Sequence, residues 1–147
     1  MITVIQRCSR GQVIVAEKII GEIGHGLVIL LGVEQDDSKT DADFLINKIS
    51  GLRIFNDEKN KMNLSIKDMN GSALVVSQFT LCGDTRKGRR PSFIKAAEPE
   101  EGYRLYEYFI SNMKKEGIPV ESGEFGATMN VELVNNGPVT FVLNSRY

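Results

Sequence analysis

The stretch GLVILLGV, residues 26–33, contains the longest apolar run of the chain, from Leu27 to Leu31. A short apolar run bounded by glycines is typical of a strand that is buried on both faces. The run is far shorter than the roughly 20 residues that a membrane-spanning helix needs. We therefore expect a central strand with the rest of the fold built around it.

Other segments of the chain have the pattern of strands, either alternating or continuously apolar. They are Ile2–Arg10, Val13–Val15, Ile19–Ile23, Ser72–Leu81 and the long segment Val120–Leu143. Asn135-Asn136-Gly137-Pro138 has the composition of a turn, which would divide the last segment into two strands. The sequence thus predicts strands at the beginning, the middle and the end of the chain.

Two segments have helical periodicity. Ser38 or Thr40 can cap a helix over Lys39–Leu52, in which apolar residues recur every three or four positions. Pro99 begins a second helix, which Gly117 ends. The polar turn 56–61 and its surroundings read mostly as loop. Strands interrupted by two long helices, without a βαβ rhythm, predict an α+β fold with a mixed sheet, in a single domain over residues 1–147.

Composition excludes several classes of protein. Charged residues make up 25% and apolar residues 41% of the chain, as in soluble globular proteins. The N-terminus lacks the apolar block of a signal peptide, so we expect a cytoplasmic protein. The net charge of −1 argues against bulk coating of nucleic acid. Cys8, Cys82 and the single His25 provide neither a disulfide framework nor a zinc site, and we expect no metal and no cofactor.

The sequence carries none of the common catalytic motifs. We find no G-x-S-x-G elbow, P-loop or G-x-G-x-x-G. His25 lies between Gly24 and Gly26, so a solvent-exposed turn histidine is favoured over a general base. The sequence therefore does not indicate acid–base catalysis by a histidine.

Three polar residues, Ser77, Gln78 and Thr80, interrupt an otherwise apolar strand. If buried without partners, such groups would cost about 1–3 kcal/mol each. They could bond to backbone at a fraying strand end, or they could bind a ligand at the mouth of the sheet. Both interpretations remain open.

Asn136-Gly137-Pro138 also has two interpretations. It can be a tight connection between strands. Alternatively it can present two rigid carbonyl acceptors, because X-Pro is the peptide bond that adopts the cis form at modest cost.

A loop rich in glycine and proline carries a local basic patch. The patch is formed by Arg86, Lys87, Arg89 and Arg90.

Short motifs over nearly the whole chain resemble those of the D-aminoacyl-tRNA deacylases, in the same order and spacing. They are IQR at the start, KMN at 61–63, SQFTL at 77–81, RPSF at 90–93, GxFGAxM at 123–129 and NxGPVTF at 135–141. The resemblance implies a homodimer with a mainly antiparallel, barrel-like sheet. Its active sites would lie at the interface, with SQFTL from one subunit and a cis Gly137-Pro138 bond from the other.

The resemblance also implies a substrate and residue roles. The substrate is the ester that joins a D-amino acid to the terminal adenosine of tRNA. Backbone N–H groups of Phe79 and Thr80 would stabilise the oxyanion, and Ser77 and Gln78 would hold the adenosine and the reacting end. Because no base for the Thr80 hydroxyl is visible, we prefer attack by water assisted by the RNA 2′-hydroxyl. The nucleotide pocket would be lined by Phe79, Phe125 and Met129.

Chiral selection would follow from exclusion. The carbonyls of Gly137 and Pro138 would hold the α-ammonium group and leave no room for an L side chain, so D-amino acids and glycine would be accepted. The basic loop would contact tRNA phosphates, and we expect neither DNA nor membrane as a partner. One other possibility is a deacylase for another achiral or small aminoacyl-tRNA, such as one carrying L-alanine, in which the Gly137-Pro138 carbonyls face outward. Two further possibilities are a tRNA- or nucleotide-binding module without catalysis and a structural dimer. The last leaves the polar residues 77, 78 and 80 unexplained.

Overall fold

The computed structural model describes all residues from 1 to 147. Its elements follow the chain in the order β1 (Ile2–Val15), β2 (Lys18–Ile23), β3 (Gly26–Gly32), α1 (Lys39–Gly51), β4 (Phe55–Asn56), β5 (Met62–Leu64), β6 (Ser72–Ser77), a 3-10 helix (Phe79–Cys82), α2 (Pro99–Lys115), β7 (Val120–Ser122) and β8 (Asn130–Asn144).

β1 organises the sheet. Its first half pairs antiparallel with β3, its second half pairs antiparallel with β2, and β8 runs antiparallel along its other edge. On the far side of β3, the strands β6 and β7 are added in parallel. The sheet is therefore mixed and mainly antiparallel, as predicted.

The two ends of the sheet approach each other and nearly close it into a barrel. A Cβ atom on Gly21 of β2 would lie 2.6 Å from the carbonyl oxygen of Ser122 in β7, so only glycine permits this approach. Side chains that point inward fill the barrel. They form a small core of Cys8, Val13, Ile23, Val28, Leu74 and Val76.

The larger core lies between the outer face of the sheet and the two helices. Leu27, Ile29 and Leu31 of β3 point toward the helices, whereas Val28 points into the barrel. The apolar run that opened the sequence is therefore buried on both faces, as predicted. Tyr106 of α2 ties the helix to the sheet by donating its hydroxyl proton to the Val75 carbonyl oxygen at 3.0 Å, and burial raises its pKa to about 12.

The helix boundaries agree with the predicted ones to within about two residues. The hydroxyl of Ser38 accepts the N–H of Thr40 and Asp41 completes a capping box, which defines the start of α1. α2 has Pro99 at its first position and ends before Gly117, whose φ is +85°. Neither helix has the combination of length and apolar character that a membrane span requires.

The predicted strand Ser72–Leu81 is wrong beyond Ser77. The ladder between β3 and β6 ends at the pair Leu31 and Ser77, and the Gln78 N–H makes a last bond to the Leu31 carbonyl oxygen at 2.8 Å. Without a further strand partner, the chain curls into the 3-10 helix. This helix packs closely on Gly32, where a Cβ atom would lie 3.1 Å from the Gln78 carbonyl oxygen.

The predicted turn at 135–138 does not reverse the chain. Asn130–Asn144 is one strand that pairs with β1 along its length, and the segment after Asn135 bulges out of it. Between the pairs Cys8/Asn135 and Gln6/Thr140, four residues of β8 lie opposite a single residue of β1. Pro138 has no N–H to donate to the ladder, so the bulge falls where pairing is weakest.

The region around residues 56–61, which was predicted to be mostly loop, also contains the small β4–β5 hairpin.

Candidate active site

A half-open cleft of about 580 Å³ lies at the carboxyl end of β6, a size typical of small-ligand sites. The β6 end and the 3-10 helix form one wall, and the segment that contains Phe125 and Met129 forms the opposite wall. The first turn of α2 contributes Pro99 and Gly102 between them. Ten of the 16 lining residues are hydrophobic, so the cleft favours a ligand with a large apolar surface.

Ser77 and Gln78 lie at the mouth of the sheet, and both line the cleft. Ser77 is the last residue of β6, and Gln78 follows it. The amide Nε2 of Gln78 donates a hydrogen bond to the hydroxyl of Thr80. Thr80 itself is exposed and does not line the cleft, although its hydroxyl lies within hydrogen-bond reach of Gln78.

The backbone at Phe79 and Thr80 provides donors instead. These residues begin the 3-10 helix, where N–H groups have no acceptor within the helix. The Phe79 ring is 56% exposed and meets the Phe93 ring edge-to-face at a centroid distance of 5.1 Å. Both residues line the cleft and are also exposed to solvent, which places their rings at its mouth.

The opposite wall depends on close packing around glycines. The Phe125 ring rests against α2, where a Cβ atom on Gly102 would lie 3.5 Å from it, and contacts the Tyr103 ring at 5.3 Å. A Cβ atom on Gly123 would lie only 2.6 Å from the Met129 sulfur. The glycines therefore let Phe125 and Met129 occupy their positions in the wall.

The Gly137–Pro138 segment lies outside the cleft of its own chain. Both residues are exposed on the β8 bulge, and their peptide bond is cis. Arg7, which is 6% exposed, supports the bulge by donating its Nε–H to the Asn136 carbonyl oxygen at 3.0 Å. The structure therefore does not bring the two segments singled out by the sequence together within one chain.

Arg7 received no role from the sequence, although the interruption of an alternating apolar strand by an arginine was a signal. Its Nη1 also donates to the Ile54 carbonyl oxygen at 2.9 Å and to the Asn56 side chain at 3.2 Å. Three acceptors thus share one buried guanidinium, which fixes the bulge relative to the segment after α1.

The basic loop projects from a short antiparallel bridge between Asp84 and Ser92, which exchange two backbone hydrogen bonds. Arg86 turns back onto Asp84 with two hydrogen bonds of 2.9 and 2.7 Å and holds the pKa of that carboxyl well below its usual range. The other three basic residues of the loop are exposed and have no acidic partner. They are Lys87, Arg89 and Arg90.

Acid–base side chains are scarce at the cleft. His25 is exposed at a bend, as predicted. It lies at the opposite end of β6 from the cleft, because its carbonyl oxygen accepts the N–H of Ser72. Ser72 and Ser77 are roughly 16 Å apart along this strand. Burial raises the thiol pKa values of Cys8 and Cys82 to about 11. Among the residues that line the cleft, Glu98 at the start of α2 is the only one with an ionisable side chain, and the sequence did not single it out. No cluster of side chains suits a metal ion.

These features define an α+β protein with a largely apolar cleft that no histidine or cysteine lines. The family model described as D-Tyr-tRNA(Tyr) deacylase matches residues 4–144. D-aminoacyl-tRNA deacylases of Thermotoga petrophila and Koribacter versatilis are 54% and 56% identical to the chain, each covering 99% of it and 97% and 98% of their own lengths. The chain belongs to the D-Tyr-tRNA(Tyr) deacylase family and is a hydrolase.

Solved structures agree on the fold. The structure titled c-Myc DNA Unwinding Element Binding Protein is 36% identical, has a TM-score of 0.92 and matches 98% of both chains. A probable eukaryotic D-amino acid tRNA deacylase has a TM-score of 0.83 over 97% of this chain and 98% of its own. At 18% identity, the second structure shows the fold alone.

Proposed function

We propose that this protein hydrolyses the ester bond between a D-amino acid and tRNA in the cytoplasm. The reaction frees the tRNA, accepts glycine and spares L-aminoacyl-tRNA, which is chiral proofreading of translation. Membership of the family and the names of the relatives support the reaction. The cleft supports it physically, because its apolar walls suit a terminal adenosine and Ser77 and Gln78 lie together at the end of β6.

In the proposed complex, the adenine lies against Phe125 and Met129, and Ser77 and Gln78 hold the ribose and the reacting end. The N–H groups of Phe79 and Thr80 donate to the oxyanion, an effect worth about 3–4 kcal/mol for one donor. An aminoacyl ester is activated, so water assisted by the neighbouring 2′-hydroxyl of the RNA is a sufficient nucleophile once the ester is held in place.

The site is completed by a second subunit. The observation that carries this proposal is that Gly137 and Pro138 are exposed on the β8 bulge and do not line the cleft of their own chain. The buried Arg7 holds the bulge in a defined orientation. In a homodimer, the bulge of one subunit reaches the cleft of its partner, so each active site needs both chains.

Chirality then follows from exclusion. The carbonyl oxygens of Gly137 and Pro138 accept hydrogen bonds from the α-ammonium group and occupy the space that an L side chain would need. A D side chain points toward solvent, and glycine has no side chain to exclude. Because the D side chain is not recognised by contacts, several D-amino acids are substrates.

The basic loop binds the RNA backbone through contacts that do not depend on sequence. Arg86 forms a salt bridge with Asp84, so its charge is already paired. The exposed Lys87, Arg89 and Arg90 therefore contribute most of the attraction to the RNA phosphates.

The proposed function is tested by hydrolysis of D-Tyr-tRNA and L-Tyr-tRNA with purified protein and no added metal. We expect D-Tyr-tRNA to be hydrolysed and L-Tyr-tRNA to be spared. Equal rates on both substrates would contradict chiral selection. If the protein hydrolysed neither of them but did hydrolyse a small L-aminoacyl-tRNA, such as L-Ala-tRNA, this result would favour outward-facing carbonyls of Gly137 and Pro138. Tight tRNA binding without turnover would indicate a binding module, and competition by a DNA duplex of equal charge would indicate a DNA partner.

A further inference from the structure

The turn that follows the basic loop displays apolar side chains on the outside of the protein. Ile94 is 77% exposed and Phe93 is 38% exposed, next to Phe79 at 56%. An isolated exposed leucine or isoleucine is common on protein surfaces, but three large apolar side chains around the mouth of one cleft form a patch. Phe93 and Ile94 are the part of this patch that the turn carries, and we name these two residues the mouth patch.

The mouth patch is held rigidly. Asp84 and Ser92 form a backbone bridge before it, and Glu34 and Ala96 form another after it. Between the bridges, the Ala96 N–H donates to the Phe93 carbonyl oxygen at 3.0 Å, so Ile94 and Lys95 are the two central residues of a tight turn. A fixed turn presents its side chains with little loss of conformational entropy when a partner binds.

The position of the patch indicates the kind of partner. Phe79 and Phe93 line the cleft, whereas Ile94 lies outside it and is followed by Lys95. The exposed cations of the basic loop lie in the hairpin that ends at Ser92, directly before Phe93. A single-stranded nucleic acid that left the cleft past Phe93 and Ile94 would therefore meet an apolar surface beside basic residues. Apolar stacking surfaces combined with basic residues are typical of sites that bind single-stranded nucleic acid.

We propose that the mouth patch stacks the base of the penultimate nucleotide of the tRNA 3′ end, while Lys95 and the basic loop bind its phosphates. This inference rests on the proposed function, because it places the terminal nucleoside in the cleft. It extends that function by giving the enzyme contact with a second base, so that the single-stranded end is recognised as well as the ester. Stacking tolerates any base, so the site favours an unpaired 3′ end rather than a particular sequence.

The test is a binding measurement that needs no turnover. The probes are two RNA minihelices with a single-stranded 3′ end, one with a normal penultimate nucleotide and one with an abasic residue at that position. We expect the wild-type protein to bind the normal probe about tenfold more tightly, in line with the usual strength of base stacking. Ile94→Ala and Phe93→Ala remove most of this difference, and Ile94→Phe keeps or increases it.

Ile19→Ala is the matched control, because Ile19 is 55% exposed on β2 and does not line the cleft. It leaves the preference for the normal probe unchanged. Equal affinity of wild-type protein for both probes overturns the proposal. Loss of the dimer in Ile94→Ala, measured by light scattering, also overturns it by assigning the patch to a subunit contact. If D-Tyr-tRNA is not hydrolysed but the probes are distinguished, the proposed function fails and the mouth patch stands.

Discussion

Arg7 and Asn136 are joined by a hydrogen bond of 3.0 Å from the arginine Nε to the asparagine carbonyl oxygen. The bond links the first strand of the chain to the bulge in the last one, immediately before Gly137. The same guanidinium binds the Ile54 carbonyl oxygen and the Asn56 side chain. The geometry of the proposed chiral selector therefore depends on a residue that is distant in sequence.

Replacement of Arg7 is expected to weaken both stability and selectivity. Arg7→Ala removes the donor of the buried Ile54 carbonyl oxygen, at about 1–3 kcal/mol, so the free energy of unfolding falls measurably in urea. Arg7→Lys keeps the charge but cannot reproduce the fork of donors. We expect it to fold and to lose much of the ratio of D-Tyr-tRNA to L-Tyr-tRNA hydrolysis. A lysine variant with an unchanged ratio would show that Arg7 has only a structural role.

Asn135 stabilises the neck of the bulge, because its Oδ1 accepts the Val139 N–H and its Nδ2 donates to the Thr140 hydroxyl, both at 2.9 Å. Asn135→Ala is expected to cost about 1–2 kcal/mol of stability and to lower chiral discrimination. Thr140→Val removes the second bond and the longer, exposed one that Thr140 accepts from Gln6 at 3.3 Å, but it leaves the bond to the Val139 N–H intact, so it is the milder control. If both variants discriminate like wild type, the bulge does not need this side chain.

Thr80→Ala tests the nucleophile. The Thr80 hydroxyl is exposed, accepts a hydrogen bond from Gln78 and has no histidine nearby, so we expect kcat on D-Tyr-tRNA to stay within about tenfold of wild type. The variant keeps the backbone N–H that is proposed to bind the oxyanion. Loss of turnover by several orders of magnitude, with substrate binding preserved, would make Thr80 the nucleophile.

Glu98→Gln tests for a protein base, since Glu98 is the only ionisable side chain that lines the cleft. If the RNA 2′-hydroxyl assists water, the variant keeps most of its activity, whereas a substrate with a terminal 2′-deoxyadenosine is hydrolysed at least about 100-fold more slowly. A large loss in Glu98→Gln together with full activity on the deoxy substrate would assign the base to the protein.

Both cysteines are expected to be unreactive in the native protein at pH 8, because burial raises their thiol pKa values from 9.0 to about 11. Iodoacetamide should label neither thiol natively and both in urea, as measured by mass spectrometry. The raised pKa favours the neutral thiol in the folded state. This contribution to stability is present below pH 9 and is lost as the pH rises to about 11. Rapid native labelling would contradict the burial.

Periodicity predicted both helices and the central strand because each buries its own regular stripe of side chains. It failed where the partner, rather than the local sequence, determines the conformation. Ser72–Leu81 reads as one strand, yet β3 provides ladder partners only as far as Ser77. Asn135–Pro138 reads as a reversal, but the length of β1 allows β8 to continue past it.

The candidate site was predictable to a similar degree. Polar residues in an apolar strand indicated Ser77 and Gln78, which line the cleft. Arg7 and Glu98 were missed because their positions depend on contacts between elements that are far apart in sequence. Pairing of Arg86 with Asp84 could not be read from the charge of the loop alone, because it requires the geometry of the turn.

The central claim is that each active site combines the cleft of one subunit with the Gly137–Pro138 bulge of the other. It is tested by mixing two variants that we expect to be inactive alone, Gln78→Ala with Phe79→Ala in one chain and Gly137→Val with Pro138→Ala in the other, after unfolding and refolding them together. A shared site predicts recovery of D-Tyr-tRNA hydrolysis to about a quarter of the wild-type rate, because half of the dimers are mixed and each has one intact site. No recovery, in mixed dimers verified by differential tags, would contradict the account.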